Sequence, residues 1–353
     1  MSTTLASAEI RAFQRELIAW FARVKRDLPW RRTRDPYAIW ISEAMLQQTR
    51  VETVIDYWRR FLARFPNAAA LADAREEDVL GSWSGLGYYR RARNLHAAAL
   101  AIRERHGGVF PRDPELVREL PGIGRYTAGA VLSIAFDAPE PLVDGNVARV
   151  FARLFELEAP LGSKELEREL WSLAERLVPA RGAGDWNQAL MELGATLCAP
   201  KKPRCDACPL ARRCRALAAG SVETLPRPKA RRASVEVELE VLCVERDGAW
   251  LFVRRPSDGR MAGMLELPTI EVAAAGRERL HPIAHAAGVE LRASEPLVQV
   301  RHTITHHRIR AQAFVGRTAR RALPEPYEWH ASSRLGELPL TGLTKKVLRA
   351  LRS

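Results

Sequence analysis

The chain has 353 residues, of which 47% are hydrophobic and 27% are charged, a globular composition with room for two or three domains. Its formal net charge of +13 at pH 7 predicts attraction to a polyanion, although an arginine-rich proteome would account for part of it without any nucleic acid. No apolar stretch reaches membrane-spanning length, and the first residues do not resemble a secretory signal. We therefore expect a cytoplasmic protein with no membrane partner.

The first two predicted helices contain one carboxylate in an unusual place. Apolar residues recur at helical spacing over Ile10–Arg26, which predicts an amphipathic packing helix. Asp35 and Pro36 then form an N-cap and first helical residue, opening a helix that continues to Gln48. Glu43 lies on a largely apolar face of this helix. It either sits at the edge of that face, reaching water or an arginine, or is buried with a raised pKa and can serve as an acid.

Aromatic and basic side chains alternate in the segment Trp83–Arg93, which follows the pattern of a short loop and a helix start. Tyrosines in such a segment can wedge between bases or stack on them, while arginines hold phosphates. The alternative is that Tyr88 and Tyr89 pack beneath the loop, and the sequence favours neither. Further helical patterns cover Val51–Phe65, Val147–Phe155, Ser163–Val178 and Trp186–Leu197.

Two helices are predicted to meet at a glycine hairpin. Asp113-Pro114 opens the first, which Leu120-Pro121 ends after about two turns. Gly122 and Gly124 allow a sharp turn, and the second helix begins near Arg125. Its unpaired N–H groups would form an anion site for a phosphate. Taken alone, the Pro-Gly-x-Gly motif better fits an ordinary helix–turn–helix corner in an all-α protein.

Four of the five cysteines lie close together, at Cys198, Cys205, Cys208 and Cys214. A structural zinc more often takes two close pairs, whereas one central C-x2-C pair flanked by single cysteines suits a cubane [4Fe–4S] cluster. The spacing favours the cluster over zinc, with four unrelated thiols as a third reading. The loop between the first two cysteines carries Lys201, Lys202 and Arg204, so a cluster would brace a basic loop suited to phosphate contact.

The hydrophobic pattern changes from helical to alternating in the last third of the chain. Residues 218–234 have the proline and charge content of a linker. Val235–Val241 then has period two, and Asp247-Gly248 predicts a hairpin turn. Further strands are expected at Leu297–His302 and Arg308–Val315, and helices near Gly276–Ala287 and Thr344–Leu351. These elements predict a separate α+β domain of about 120 residues, with Cys243 as a small core residue.

Six features, in this order, resemble the helix–hairpin–helix base-excision glycosylases and, more narrowly, the adenine DNA glycosylase (MutY) family. They are Leu28–Arg31, Trp40–Thr49, Gly85–Tyr89, Leu120–Ala128, Val143–Asn146 and the four cysteines. The resemblance implies an all-α helix–hairpin–helix catalytic region with a [4Fe–4S] cluster, followed by a C-terminal α+β domain similar to the MutT (Nudix) fold. It implies a helical iron–sulfur domain at 1–29 and 136–217, a six-helix domain at 30–135, a linker at 218–234 and a lesion-recognition domain at 235–353.

The resemblance also implies the reaction, which is removal of adenine mispaired with 8-oxoguanine or guanine. Glu43 matches the general acid, and Asp144, oriented by Asn146, stabilises the oxocarbenium-like state. A glutamate with pKa about 4.3 is protonated only about 0.2% of the time at pH 7, whereas one raised to about 6 is near 10%. Asp144 precedes a helix start, whose N–H groups should keep it ionised. Gln48 and Tyr88 match the positions that enter the base stack during extrusion of the adenine.

Other family positions set DNA contacts and specificity. The DNA contacts implied are Trp30, Arg31, Gly122, Gly124, Arg125, Lys201, Lys202 and Arg204. Tyr126 stands where strand-cleaving relatives such as endonuclease III carry a Schiff-base lysine, which predicts a monofunctional glycosylase that leaves an abasic site. The loop that reads 8-oxoguanine, Phe-Ser-His or Tyr-Ser-His in the family, is here Ile304-Thr305-His306, which keeps a hydroxyl and lacks the aromatic ring. The nearby histidines are expected on the surface or facing DNA rather than on a metal, because strand neighbours point to opposite faces.

Three alternatives belong to other function classes. The first is an endonuclease III-like glycosylase and lyase, which Tyr126 opposes. The second is a non-catalytic, lesion-binding or redox-sensing iron–sulfur protein, which the presence of both Glu43 and Asp144 opposes. The third is a Nudix hydrolase, but Gly263–Pro268 is not followed by the acidic cluster that would hold magnesium. We expect double-stranded DNA with A:8-oxoguanine or A:G mispairs as the partner of a monomeric, nucleoid-associated, bacterial-type protein.

Overall fold

The computed structural model describes residues 5–229, 233–256, 261, 263–272, 281–304, 306–320 and 322–352. The chain forms two compact units, one made of residues 1–74 with 94–230 and the other of residues 75–93 with 231–353. Segment 75–93, which the sequence assigns to the region 30–135, is therefore grouped with the C-terminal domain. The finer division of the helical region into two domains stays a prediction.

The helical region contains the helices α1 Ser7–Val24, α2 Pro36–Leu46, α3 Val51–Arg64, α4 Ala68–Asp73, α5 Glu76–Ser82, α6 Arg90–His106, α7 Pro114–Arg118, α8 Arg125–Phe136, α9 Gly145–Leu154, α10 Lys164–Leu177, α11 Ala183–Thr196 and α12 Arg215–Ala218. Helix α5 belongs to the second unit, and α6 begins in that unit and continues in the first. None of the described helices is both long and apolar enough to cross a membrane.

Local sequence signals explain several helix starts. The Asp35 carboxylate accepts the N–H groups of Tyr37 at 3.0 Å and Ala38 at 3.4 Å, with Pro36 as the first residue of α2. Asp113 caps α7 in the same way, although α7 has only 5 residues, which is less than the two turns expected. These caps satisfy N–H groups that have no partner within the helix, and they fix where α2 and α7 begin.

The first unit is built around helices that are buried on most sides. In α2 every residue from Tyr37 to Met45 is buried, and α8 is buried from Thr127 to Ile134. Helix α11 packs against α1, α8 and α9. Two glycines of α11 allow close approaches: a Cβ on Gly184 would lie 2.5 Å from the carbonyl oxygen of Ser133 in α8, and one on Gly194 would lie 2.6 Å from Cβ of Asn146 in α9. These contacts hold α8, α9 and α11 close together around the site described below.

The second unit contains a mixed sheet. Its strands are β1 Val235–Arg246, β2 Ala249–Arg254, β3 Leu265–Glu266, β4 Thr269–Glu271, β5 Glu290–Leu291, β6 Val298–Ile304, β7 His307–Arg317 and β8 Tyr327–Ala331. The order is β3-β2-β1-β7-β5, with β4 pairing β1, β6 pairing β7 and β8 pairing β2. Strands β1 and β7 run parallel from the pair Val235 and His307 to the pair Val244 and Gly316, and the other pairs are antiparallel.

Helices cover both faces of this sheet. Helix α14, Gly342–Arg352, packs on the face that contains Val241 and Cys243, and α13, His281–Ala287, packs on the face that contains Leu242 and Val244. The alternation predicted for β1 therefore gives way to continuous burial from residue 240 to 244, because both faces are covered there. Cys243 is a core residue with 1% exposure, as predicted. The predicted helix near Gly276–Ala287 is present as α13, while residues 276–280 lie outside the described part of the chain.

Candidate active site and cysteine cavity

A buried carboxyl and a phenol form the centre of the candidate active site. Glu43 of α2 is 4% exposed, which corresponds to the buried alternative for this residue. The hydroxyl of Tyr126, in the first turn of α8, donates to Glu43 Oε2 at 2.5 Å and lies 3.6 Å from Sδ of Met191 in α11. Burial raises the pKa of Glu43 to about 7, with a further rise from Asp144, while the Tyr126 hydrogen bond and Arg31 oppose it.

Tyr126 remains a donor over the whole physiological pH range. Burial, followed by the charges of Glu43 and Asp144, raises the pKa of its phenol well above the ordinary value. The phenol therefore keeps its proton, and it can stabilise the ionised form of Glu43 by hydrogen bonding without itself becoming charged. Glu43 is therefore partly protonated near neutral pH, and its hydrogen-bond partner Tyr126 stays uncharged.

Asp144 is the N-cap of α9. Its Oδ1 accepts the N–H of Val147 at 2.7 Å, and its Oδ2 accepts a hydrogen bond from the Asn146 side chain at 2.9 Å. The predicted N–H partners are thus present, and Asn146 contacts the carboxylate it was expected to orient. Burial nevertheless outweighs these hydrogen bonds and raises the pKa of Asp144 above its ordinary value, so that its ionised state at neutral pH stays a prediction.

Arginines on α9 connect Asp144 to the cysteine segment, and no sequence pattern indicates this role for them. Arg149 donates to Asn146 Oδ1 at 2.9 Å, to the carbonyl of Gly194 at 2.8 Å and to the carbonyl of Cys198 at 2.8 Å. One turn later, Arg153 is 2% exposed and its Nη1 lies 3.4 Å from Sγ of Cys198. The N-cap carboxylate and the first cysteine are therefore held by side chains of one helix.

A second buried carboxylate lies on α11, and no sequence pattern singles it out. Glu192 is 1% exposed and accepts hydrogen bonds at 2.8 Å from both Arg26 and Arg31. Burial opposes its ionisation, but the two arginines outweigh it and lower the pKa of Glu192 to about 2. Arg31, predicted to contact DNA, is engaged in this ion pair. Trp30, also predicted to contact DNA, is buried and packs edge-on against Trp58 with ring centroids 6.1 Å apart.

The predicted phosphate hairpin has the expected backbone. Gly122 has φ of +76°, and a Cβ there would lie 2.5 Å from the Asn94 side chain, so this turn requires glycine. Gly124 is the exposed N-cap of α8. Arg125 is exposed but engaged, because it pairs with Glu175 and its guanidinium lies 3.8 Å from the ring centroid of Trp171.

The other predicted DNA-contacting residues lie on exposed segments. Gln48 follows α2 with φ of +58° and is exposed, and Tyr88 has φ of +48° and is 56% exposed. These two residues belong to different compact units. Lys201, Lys202 and Arg204 are all exposed, and Arg204 donates to the carbonyl of Thr196 at 2.9 Å.

The four cysteines converge on one cavity. Cys198, Cys205, Cys208 and Cys214 line it together with Arg153. Among the described residues no three His, Cys, Asp or Glu side chains lie close enough to hold a single metal ion. The donor set is thus four thiols around an open volume.

The predicted lesion-reading loop joins β6 to β7. Ile304 is the last residue of β6 and pairs with His307, while Thr305 lies outside the described residues. The rings of His306 and His307 are 4.2 Å apart. His302 points toward α14, where a Cβ on Gly342 would lie 3.4 Å from its Cε1.

Residues 41–176 match the family described as HhH-GPD superfamily base excision DNA repair protein, and residues 240–350 match the NUDIX domain. The adenine DNA glycosylase of Rattus norvegicus is 37% identical, with 87% of this chain and 70% of the relative covered. That of Homo sapiens is 35% identical, with 97% of this chain and 74% of the relative covered.

The chain belongs to the adenine DNA glycosylase family. It is a hydrolase acting on N-glycosyl bonds in base excision repair. Among solved structures, a thermostable thymine-DNA glycosylase superimposes with a TM-score of 0.54 at 31% identity, over 60% of this chain and 97% of that chain. A non-covalent endonuclease III–DNA complex gives 0.52 at 25% identity, over 62% and 99%. The predicted fold class is confirmed by these matches and by the Nudix match of the mixed-sheet domain.

Proposed function

We propose that this adenine DNA glycosylase releases adenine mispaired with 8-oxoguanine or guanine, using Glu43 as the general acid and Asp144 as the carboxylate that stabilises the sugar cation. One observation carries the proposal: Glu43 is buried, hydrogen-bonded by Tyr126 at 2.5 Å and has a pKa of about 7. At pH 7 such a carboxyl is protonated about half of the time. The acid form is therefore present at neutral pH, and it releases its proton readily.

Glu43 and Asp144 have different roles in the proposed reaction. Adenine leaves as an anion unless a ring nitrogen is protonated, so Glu43 gives its proton to the base as the C–N bond breaks. The electron pair of that bond leaves with the base, and the positive charge that develops on the sugar is stabilised by Asp144. Water then adds to the anomeric carbon and loses a proton to solvent, from which Glu43 is reprotonated for the next turnover. The charge of Asp144 also raises the pKa of Glu43, which supports the assignment of one ionised and one protonated carboxyl.

Access to the base requires extrusion from the duplex. Gln48 and Tyr88, exposed residues with left-handed backbone, are proposed to fill the space that the adenine leaves. Gly122, Gly124 and Arg125 at the start of α8 would hold a phosphate of the same strand through the unpaired N–H groups of that helix. Lys201, Lys202 and Arg204 would contact the backbone nearby, and Ile304, Thr305 and His306 would read the oxidised base.

Base release is proposed to end at an abasic site. Tyr126 presents a phenol, which forms no Schiff base with the opened sugar, where strand-cleaving relatives would carry an amine. Borohydride should therefore trap little covalent protein–DNA adduct during turnover. A high yield of adduct would contradict the monofunctional assignment and would favour the glycosylase and lyase alternative.

We infer that the cysteine cavity holds a [4Fe–4S] cluster bound by Cys198, Cys205, Cys208 and Cys214. A single zinc would draw four sulfurs to about 2.3 Å from one point, whereas no three of these thiols, all of them among the described residues, lie close enough together to hold one metal ion. Such a cluster supplies electron-transfer chemistry when bound. The chain's own part is structural, because Arg153 ties Cys198 to α9, and the basic loop 201–204 is held between two of the ligands.

Single-turnover adenine release from an A:8-oxoguanine duplex tests the proposed roles. We expect Glu43→Gln and Asp144→Asn each to lower the rate by on the order of 10²-fold or more. Glu158→Gln, which makes the same carboxyl-to-amide change at a residue on the surface paired with Arg227, is the matched control and should leave the rate unchanged. Unchanged rates in the first two variants would rule out the assignment of the acid and the stabilising carboxylate.

A further inference from the structure

The loop that carries Tyr88 has an unusual backbone. We call residues 83–89, which join α5 to α6, the Tyr88 loop. Gly85, Gly87 and Tyr88 all lie in the left-handed region, with φ of 111°, 70° and 48°. This conformation is unfavourable for tyrosine and persists only where neighbouring groups hold the backbone. The Tyr88 ring is nevertheless presented to solvent, at 56% exposure.

Contacts inside the loop account for part of this conformation. The indole N–H of Trp83 donates to the carbonyl of Gly87 at 3.1 Å. Arg91 donates to the carbonyls of Leu86 at 3.2 Å and Gly87 at 3.1 Å, and its guanidinium lies 5.7 Å from the Tyr88 ring centroid. These contacts tie residues 86–88 to Arg91 and to Trp83, the first residue of the loop.

The start of the loop is held by the C-terminal domain. Nζ of Lys345, in the first turn of α14, donates to Oγ of Ser84 at 2.6 Å. The two residues are 261 positions apart, and Lys345 is only partly exposed, so its ammonium gives up water to make this contact. A charged donor that is shielded from solvent makes a stronger hydrogen bond than an exposed one.

Helix α5, which leads into the loop, is held by the same domain. Arg254 of β2 lies 3.8 Å from the carboxylate of Glu77 and also pairs with Glu328 of β8. A Cβ on Gly81 would lie 3.1 Å from the carbonyl oxygen of Glu337, so α5 approaches the segment before α14 closely. The base of the loop therefore rests on β2, α14 and the segment between β8 and α14.

We propose that Lys345 is a positioning residue for base excision, which acts through Ser84 to hold the Tyr88 loop in the conformation that enters the base stack. The inference rests on the proposed function, in which Tyr88 enters the duplex. It gives the C-terminal domain a second task beside reading the lesion, namely preparing the loop that extrudes the adenine. Without the Lys345 contact, only a fraction of molecules present Tyr88 correctly, and the rate of base extrusion falls by that fraction.

Two lysines side by side on α14 provide the test. Lys345→Met removes the ammonium and keeps the aliphatic stem, whereas Lys346→Met makes the same change at an exposed neighbour that donates to the carbonyl of Arg301. In the full chain, we expect Lys345→Met to slow single-turnover adenine release by about ten-fold, the effect of losing one charged hydrogen bond. The fluorescence rise of a base analogue beside the mispair, which reports base extrusion, should slow by the same factor. Lys346→Met should stay near the wild type in both.

A second set of variants separates positioning from direct DNA contact and from misfolding. Ser84→Ala removes the acceptor without changing charge and should reproduce the defect of Lys345→Met. In a Tyr88→Ala background, Lys345→Met should add no further loss. An undiminished loss in that background, or equal effects of Lys345→Met and Lys346→Met, would overturn the inference while leaving the glycosylase assignment intact. Absence of adenine release by the wild type would instead remove the proposed function on which it rests.

Discussion

Glu43 is under two opposing influences, and this makes its titration testable. Burial raises its pKa to about 7, and the Tyr126 hydrogen bond acts in the other direction. In the proposed mechanism the protonated form of Glu43 donates the proton, so we expect adenine release to decline as pH rises through about 7. Tyr126→Phe removes the influence that lowers the pKa, so its alkaline limb should move to higher pH. Single-turnover rates of adenine release across pH measure the alkaline limb of the wild type and of Tyr126→Phe, with Tyr57→Phe on α3 as control. An alkaline limb of Tyr126→Phe that moves to lower pH would contradict this assignment of the hydrogen bond.

Ionisation of the buried Glu43 lowers the free energy of unfolding. Its pKa in the folded state, about 7, lies above the ordinary value, so ionisation opposes folding. The contribution of Glu43 to stability is therefore fully present below about pH 4 and is lost as pH rises to about 7. We expect Glu43→Gln to increase the free energy of unfolding at pH 8 by roughly 1–3 kcal/mol and to change it little at pH 4. Denaturant unfolding at the two pH values measures this, and an equal gain at both would contradict it.

Asp144 allows charge to be separated from helix capping. Asparagine is as good an N-cap as aspartate, so Asp144→Asn should keep the hydrogen bond from Val147 and change the free energy of unfolding by less than about 0.5 kcal/mol. The same variant should lose base release by on the order of 10²-fold, because a neutral amide does not stabilise a developing cation. Thermal unfolding and single-turnover release, measured on one preparation, separate the two effects. A variant that unfolded and lost activity together would leave the carboxylate with a structural role.

At the scale of secondary structure, α9 joins Asp144 to the cysteine cavity. Besides contacting Cys198, the buried Arg153 donates to the carbonyls of Ala199 at 2.7 Å and Leu225 at 2.9 Å. Arg153→Met leaves these acceptors without their donor, so we expect a loss of about 3 kcal/mol or more in stability and weaker retention of iron. Iron content and unfolding midpoint check this, with the exposed Arg212→Met as control. Full iron content with unchanged stability would contradict it.

Sequence patterns predicted elements better than the contacts between them. Asp35, Asp113 and Ser163 are local signals, and the helices begin where these residues indicate. Glu43 was detectable because a carboxylate interrupts an apolar face. Glu192 was not, because the arginine that pairs with it at position 26 is 166 residues away. A periodic pattern shows that a face is buried, but it does not identify which side chain from a distant helix meets it.

At the scale of the whole molecule, the C-terminal unit includes residues from the middle of the helical region. No composition change marks segment 75–93, and its partners, such as Lys345, lie far along the chain, so sequence reasoning placed it with the neighbouring helices. The contacts of this segment have a direct consequence for a shortened chain. A protein ending at residue 229 would keep Glu43, Asp144 and Tyr126 but would lack every contact that Ser84 and α5 make with α14 and β2.

Hydrogen exchange tests this consequence. In a chain of residues 1–229 we expect the amides of residues 76–91 to lose protection relative to the full chain, because Ser84 then lacks its contact with Lys345 and α5 lacks its contact with Arg254. The amides of α2 should keep theirs, since the contacts of α2 with α8 lie within the first unit. Equal protection of residues 76–91 in both chains would show that the C-terminal residues do not stabilise this segment.

The discontinuity of the second unit also bears on how the protein is made. Ribosomes release a chain from its N-terminus, and segment 75–93 is separated from its partners by residues 94–230. The segment therefore leaves the ribosome well before the strands and the helix that support it have been synthesised. The first unit can form its contacts during translation, whereas the loop that carries Tyr88 acquires its support only when α14 has emerged. Under the proposed role of Tyr88, competence to extrude a base is accordingly among the last properties that the nascent enzyme gains.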